Sequence, residues 1–267
     1  MTHRMELPLH HLVIAVLGGF AAGCINTLAG NGSAITLGIL TEVLGLPGNT
    51  ANGTNRLGVL AQGATSTWVF RRNGKLHITP NRLLLGSVFA GALIGVWCAT
   101  QISNEQFRLV YKWLMVAMLF IVLVKPKRWL QPAADKVPAL AWWIVVPVYL
   151  GIGFYGGFIQ MGMGILFLAA LVLVSRMPII EGNAIKSFAV LLYTVAVLAI
   201  FAGNGLIHWE AATALAAGQL VGGWVTAEFA STYKNADRWA YWMLVVMVVL
   251  ILLKLFVPPA FYGKVLP

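Results

Sequence analysis

Charge is what this chain has least of. Only 10% of its 267 residues are charged, and 8 acidic residues stand against 18 Lys and Arg. No polar stretch is long enough to fold as a soluble domain beside the apolar runs, so residues 1–267 read as a single transmembrane domain. Cysteine is nearly absent. Cys24 and Cys98 both lie inside apolar runs, which excludes a disulfide framework or a zinc site and leaves small buried hydrophobes. There is no HExxH, no serine elbow and no P-loop. No catalytic constellation appears, so the chain does not read as an enzyme, and no metal or organic cofactor is implied.

What is present is apolar sequence, 60% of the residues, in runs long enough to cross a bilayer. The expected fold is an all-α polytopic membrane protein. A formal net charge of +10 on a soluble protein would point to nucleic acid. Here the basic residues sit in loops between apolar runs, where they set topology and meet anionic headgroups; the partner is a lipid bilayer and no nucleic acid is implied. The N-terminal stretch from Arg4 to Cys24 has the outline of a lipoprotein signal. It is read instead as a first span, because the second half of the chain has a counterpart to it.

Taken in order, an apolar segment from about Leu9 to Leu28 is broken by Ala29-Gly30-Asn31-Gly32. Ser33 is placed to cap a short helix that ends by Gly45-Leu46-Pro47-Gly48. That helix covers only about 21 Å, short of a bilayer core, so it is re-entrant or half of a broken helix. Asn49 or Thr50 then starts a helix running to Phe70, Pro80 opens a fourth segment, and about Phe107 to Val124 forms a fifth. The second half repeats these lengths: about Leu140 to Gln160, a break at Met161-Gly162-Met163-Gly164, a short helix Ile165 to Val174 ended by Met177-Pro178, then helices from about Glu181 to Phe201, His208 to Ala230 and Trp239 to Phe256.

The halves superpose with small drifting offsets. A shift of 130 lays Gly23 on Gly153, Gly32 on Gly162 and Arg56 on Lys186; a shift of 131 lays Gly74 on Gly205 and His77 on His208. The boundaries read as repeat 1 at about 8–125, a linker at 126–138 and repeat 2 at about 139–257. Basic loops at Arg71 to Arg82, Lys125 to Lys136 and Lys234 to Arg238 are assigned to the cytoplasm. Each half then crosses an odd number of times. The expectation is two inverted repeats of about five helical segments each, with broken or re-entrant helices at the centre, as in many secondary transporters.

The polar residues inside these segments mark the expected site. Asn52, Asn55 and Arg56 share a helical face that Gln62 and Ser66 continue, and Asn183, Lys186, Ser187, Tyr193 and Thr194 do the same in the second half. A charge in a spanning segment costs a few kcal/mol unless paired, snorkelled or wet. Two cations at matching positions, each beside asparagine, are expected to approach one anion. Gly30, Gly32 and Ser33 lead into a helix N-terminus whose N–H groups favour anions. Asn26 lies one turn before that break, and Gln160 is adjacent to the second. Glu42, Glu181 and Glu228 are weaker candidates, for proton coupling.

The segments Asn26–Ser33 (NTLAGNGS) and Ala51–Arg56 (ANGTNR, which includes Thr54), with Gly182–Lys186 (GNAIK), resemble the sulfite exporter TauE/SafE family of membrane permeases. The duplicated hydrophobic pattern extends the resemblance over nearly the whole chain. It implies a secondary transporter moving small sulfur-containing anions (sulfite, thiosulfate or organosulfonates such as sulfoacetate) across the cytoplasmic membrane by alternating access. Met161 and Met163 depart from the family's serine- or glycine-rich second break and make that side of the pocket less polar. An anion channel on the same residues, and a non-transporting membrane scaffold for a sulfur-handling enzyme, are the rival readings. A homo-oligomer is compatible with the sequence.

Overall fold

The computed structural model describes residues 7–101, 141–243 and 245–246, and every regular element among them is helical. The fifth segment and the linker expected from the sequence lie outside these residues. Three helices among the described residues are long and apolar enough to cross a membrane: Leu9–Leu28, Ile179–Gly203 and the stretch Thr79–Gln101. The protein is an all-α polytopic membrane protein.

The element order is the same on either side of residues 102–140. In the first half, α1 (Leu9–Leu28) leads to α2 (Ser33–Gly38), whose last turn widens into a π-helical turn at Ile39–Val43; α3 (Gly48–Arg72) and α4 (Arg82–Gln101) follow. In the second, α5 (Trp142–Phe158) leads to α6 (Met163–Ala169), a π-helical turn at Ala170–Val174, then α7 (Ile179–Gly203) and α8 (Trp209–Thr232).

Local chemistry explains the joints. α1 ends where Gly30 takes a left-handed φ of 87°, and Gly162 does the same at 78° before α6; glycine adopts this conformation without a Cβ clash. The π turns close on a left-handed residue, Gly45 in one half and Arg176 in the other. A proline follows in each case. Pro47 and Pro178 share φ −55° and ψ 144°. Each hands its carbonyl to the amide four residues on, Ala51 or Gly182. The third helices therefore start directly behind proline, at Gly48 and Ile179, earlier than the expected Asn49, Thr50 or Glu181. Ser33 is the first helical residue behind Gly32 and makes no side-chain cap.

Four helices pack through glycine pairs spaced four apart, the arrangement that lets membrane helices approach backbone to backbone. A Cβ on Gly91 or Gly95 of α4 would strike Leu150 O or Phe154 O of α5, and one on Gly153 or Gly157 would strike Val88 O or Ala92 O in return. Gly19 and Gly23 of α1 meet Leu215 and Gln219 of α8 in the same way, and Gly218 and Gly222 meet Val16 and Phe20. In both pairs the contacts advance together, so α4 runs parallel to α5 and α1 parallel to α8. At the centre α3 and α7 run antiparallel: Gly53 faces Phe201 and Gly63 faces Leu191. Trp68, Trp97, Trp142, Trp143 and Trp209 sit exposed within about a turn of helix ends, the position of an interfacial belt.

Candidate functional site

The site begins with a problem of backbone chemistry. Helix C-termini leave carbonyls without intrahelical partners, and away from water each needs a donor. α1 and α5 both end buried. Their last carbonyls are met by side chains of the opposite half. Asn183 Nδ2 donates to Leu28 O (3.1 Å), and Lys186 Nζ donates to Asn26 O (3.0 Å), Thr27 O (3.2 Å) and Asn183 Oδ1. The other clamp mirrors it. Asn52 Nδ2 donates to Phe158 O (3.0 Å), Arg56 Nη1 to Gly156 O (2.7 Å), and Arg56 Nη2 to Gly157 O (3.0 Å) and Asn52 Oδ1 (3.2 Å).

Arg56 is 0% exposed and Lys186 3%, and they are the only charged side chains buried among the described residues. The one ion pair among those residues, Arg72 with Glu228 at 2.6 Å, is at the surface. A helix C-terminus offers roughly half a negative charge. Each cation therefore keeps an unbalanced positive remainder in a low-dielectric setting.

Where the two breaks meet there is a small cavity. Asn26 and Gly30 line it from the first break, Gln160 and Gly164 from the second, Gln62 from α3, and Lys186, Ser187 and Val190 from α7. It offers about 20 Å³ to the centre of a water-sized sphere, room for a water or two. Two polar groups on its wall have no protein partner. Asn26 Oδ1 already accepts from Ser33 N (3.3 Å), and Asn26 Nδ2 has no protein partner. Ser187 Oγ has none either. Gln62 Nε2 is taken by Thr27 Oγ1 (3.0 Å) and Ser66 Oγ (3.3 Å), so Gln62 brings an acceptor.

The remaining expected residues do not line this cavity. Asn55 Oδ1 accepts from Thr36 Oγ1 at 2.6 Å and ties α3 to α2. Tyr193 Oη donates to Gln160 Oε1 at 3.0 Å. Thr54 turns away and accepts from His208 N at 2.9 Å. Gly32 lies against α1, where a Cβ would strike Ala22 O. Three N–H groups at the first break are occupied: Gly30 N donates to Ile25 O, Ser33 N to Asn26 Oδ1 and Ala34 N to Asn31 O. Glu42 is exposed, Glu228 is paired at the surface and Glu181 is partly exposed, so none of the three reaches the cavity.

Of the two expected cations, Lys186 alone lines this cavity. Through the third helices the structural landmarks keep an offset of 131, from Pro47 to Pro178 and from Gly74 to Gly205. At that offset Arg56 falls on Ser187, and Asn55 on Lys186. Given the antiparallel register of α3 and α7, the Arg56 backbone stands level with the turn near Val197, roughly 18 Å along the axis from the Lys186 backbone at 1.5 Å per residue, and its side chain reaches back to Gln160. Lys186 lines the cavity; Arg56 stands behind Gln160. Ser187 and Gln62 are cavity residues that the sequence reading noted on polar faces without choosing for the site. The signal for Ser187 was the offset fixed by the two prolines.

A family profile described as Sulfite exporter TauE/SafE matches residues 15–255. Among curated relatives, a probable membrane transporter protein, ORF9, of Sinorhizobium sp is 24% identical over 84% of this chain and 85% of its own. A probable membrane transporter protein of Haemophilus influenzae is 25% identical over 85% of this chain and 88% of its own. The probable membrane transporter protein YfcA of Escherichia coli K12 is 22% identical over 78% and 75%. No solved structure matches the chain.

Proposed function

The chain belongs to the sulfite exporter TauE/SafE family, and from that premise we propose that it is a secondary transporter of small sulfur-containing anions such as sulfite, thiosulfate or sulfoacetate. One observation carries the reading. The buried Lys186 ammonium lines a cavity beside an unpartnered Asn26 amide nitrogen and an unpartnered Ser187 hydroxyl, with no buried carboxylate among the described residues. Desolvated donors around an uncompensated positive charge are the complement of an oxyanion.

Alternating access fits the size of the cavity. A space for one or two waters does not hold a polyatomic anion, so the helix ends around it part for the anion to enter. An inverted repeat is supported by the directions of the helices: α1, α3 and α8 run one way, and α5, α7 and α4 the other. With the loops after α3 and α8 on the cytoplasmic side, the basic residues of 71–82 and 234–238 obey the positive-inside rule for an inner membrane.

The test is uptake of labelled sulfite by proteoliposomes holding the purified protein. Saturable uptake, competed by thiosulfate or sulfoacetate but not by chloride, and lost in Lys186→Gln, is the expected result. Flux that does not saturate replaces the transporter by a channel. Wild-type uptake by Lys186→Gln removes the cavity as the site.

A further inference from the structure

We infer that Arg56 serves this site as a positioning residue: with the Tyr193 hydroxyl it holds the Gln160 side-chain carbonyl, so that the Gln160 amide group faces the anion as a donor, and Lys186 alone is the facing cation. The inference rests on the transport reading above and assigns roles within its site.

Gln160 Oε1 accepts from Arg56 Nη1 at 2.7 Å and from Tyr193 Oη at 3.0 Å. A carboxamide oxygen has two lone pairs, and both are used. Rotating the amide by half a turn would set its NH2 against a guanidinium N–H and leave the arginine donor facing another donor. The two donors that converge on Oε1 therefore fix the orientation of the amide. With the carbonyl committed on one side, the Nε2 donor is left for the cavity that Gln160 lines. Arg56 itself does not line the cavity. Its remaining Nη contacts go to Gly156 O, Gly157 O and Asn52 Oδ1, and its guanidinium lies 5.6 Å over the Phe201 ring.

The opposite wall uses the same device with different parts. Asn26 Oδ1 is occupied by Ser33 N, which leaves Asn26 Nδ2 unpartnered at the cavity. One carboxamide from each break thus presents nitrogen. A backbone N–H orients the first, and a buried cation with a phenol orients the second. An arginine suits this task because it forms four Nη contacts at fixed angles; a lysine has three donors and no fork.

The experiment compares Tyr193→Phe, Gln160→Glu, Arg56→Lys and Lys186→Gln for sulfite uptake into proteoliposomes, with KM and maximal rate separated, and for melting temperature without anion. Tyr193→Phe removes one pin and no charge, and its expected effect is a KM for sulfite raised roughly three- to tenfold with the maximal rate kept. Gln160→Glu lets one carboxylate oxygen pair with Arg56 while the other faces the cavity; uptake is lost although the melting temperature is at least that of wild type. Arg56→Lys keeps the charge and raises KM as Tyr193→Phe does. A wild-type KM in both Tyr193→Phe and Gln160→Glu, beside a loss of uptake in Lys186→Gln, overturns the positioning role and leaves the transport reading standing. Sulfite uptake by Lys186→Gln equal to wild type overturns the reading and the inference together.

Discussion

Replacing Gly164 by alanine tests whether the two breaks cross where the structure puts them. A Cβ there lies 2.5 Å from both the Cα and the O of Gly30 and 2.9 Å from its carbonyl carbon. Carbon contacts settle near 3.5 Å, so the two backbones must part by about 1 Å. Neither neighbour is a side chain that can rotate away. Overpacking of this kind costs about 1–3 kcal/mol, and each kcal/mol lowers the melting temperature of a chain this size by roughly 2–4 °C. Gly30→Ala meets the backbone of Gly164 in return and adds the strain of a left-handed alanine at φ 87°, about 1–2 kcal/mol more. Once either substitution has parted the backbones, the second finds them parted already. The double variant is therefore less destabilised than the sum of the singles, by about 1 kcal/mol. Thermal unfolding of the detergent-purified variants reads the stabilities, and sulfite uptake reads the consequence for the cavity, which lies at this crossing. A wild-type melting temperature for Gly164→Ala, or losses in the double variant that add to within about 0.5 kcal/mol, would refute the crossing.

Further outcomes follow from the same geometry. Asn183→Ala strips the donor from Leu28 O and one acceptor from Lys186, and a loss of about 1–3 kcal/mol in thermal or denaturant unfolding is expected. Lys186→Gln removes a desolvated charge, so anion-dependent stabilisation falls by at least about 2 kcal/mol, roughly thirtyfold in the sulfite concentration needed; it also shortens the donor to Asn26 O and Thr27 O, so the anion-free melting temperature falls as well, by about 1–3 kcal/mol of stability. Arg176 holds a left-handed φ of 53° where the first half has Gly45, so Arg176→Gly raises stability by about 0.5–1 kcal/mol. Glu228→Gln opens the surface pair with Arg72 and shifts stability by no more than about 1 kcal/mol, without changing uptake.

The lengths and breaks of the helices were legible because glycine and proline punctuate them: Gly30, Gly162, Pro47 and Pro178 sit where the chain turns. The polar faces of α3 and α7 were legible too, since Asn52, Asn55, Arg56, Gln62, Asn183 and Lys186 recur at helical spacing in apolar surroundings and are all buried. What each polar group touches was not. Arg56 and Lys186 are chemically alike in sequence, yet one faces the cavity and the other a glutamine, because that depends on the antiparallel register of α3 against α7. The one-residue difference between offsets of 130 and 131 moves a side chain by 100° around the helix, and glycine matches alone do not resolve it. Thr54 belongs to the ANGTNR motif but serves the loop before α8, a contact between residues 154 apart in sequence.

The crossed clamps also set an order of events during synthesis. The carbonyls of Asn26, Thr27 and Leu28 leave the ribosome long before Asn183 and Lys186, which are their donors. Until α7 arrives, the end of α1 has no protein partner for these groups and must borrow water or translocon surface. The converse holds for Asn52 and Arg56, which wait for α5. Neither half is thus a self-sufficient insertion unit. Made as separate chains divided within the linker, 1–130 and 131–267 are expected to accumulate only when co-expressed, each acting as the other's assembly factor.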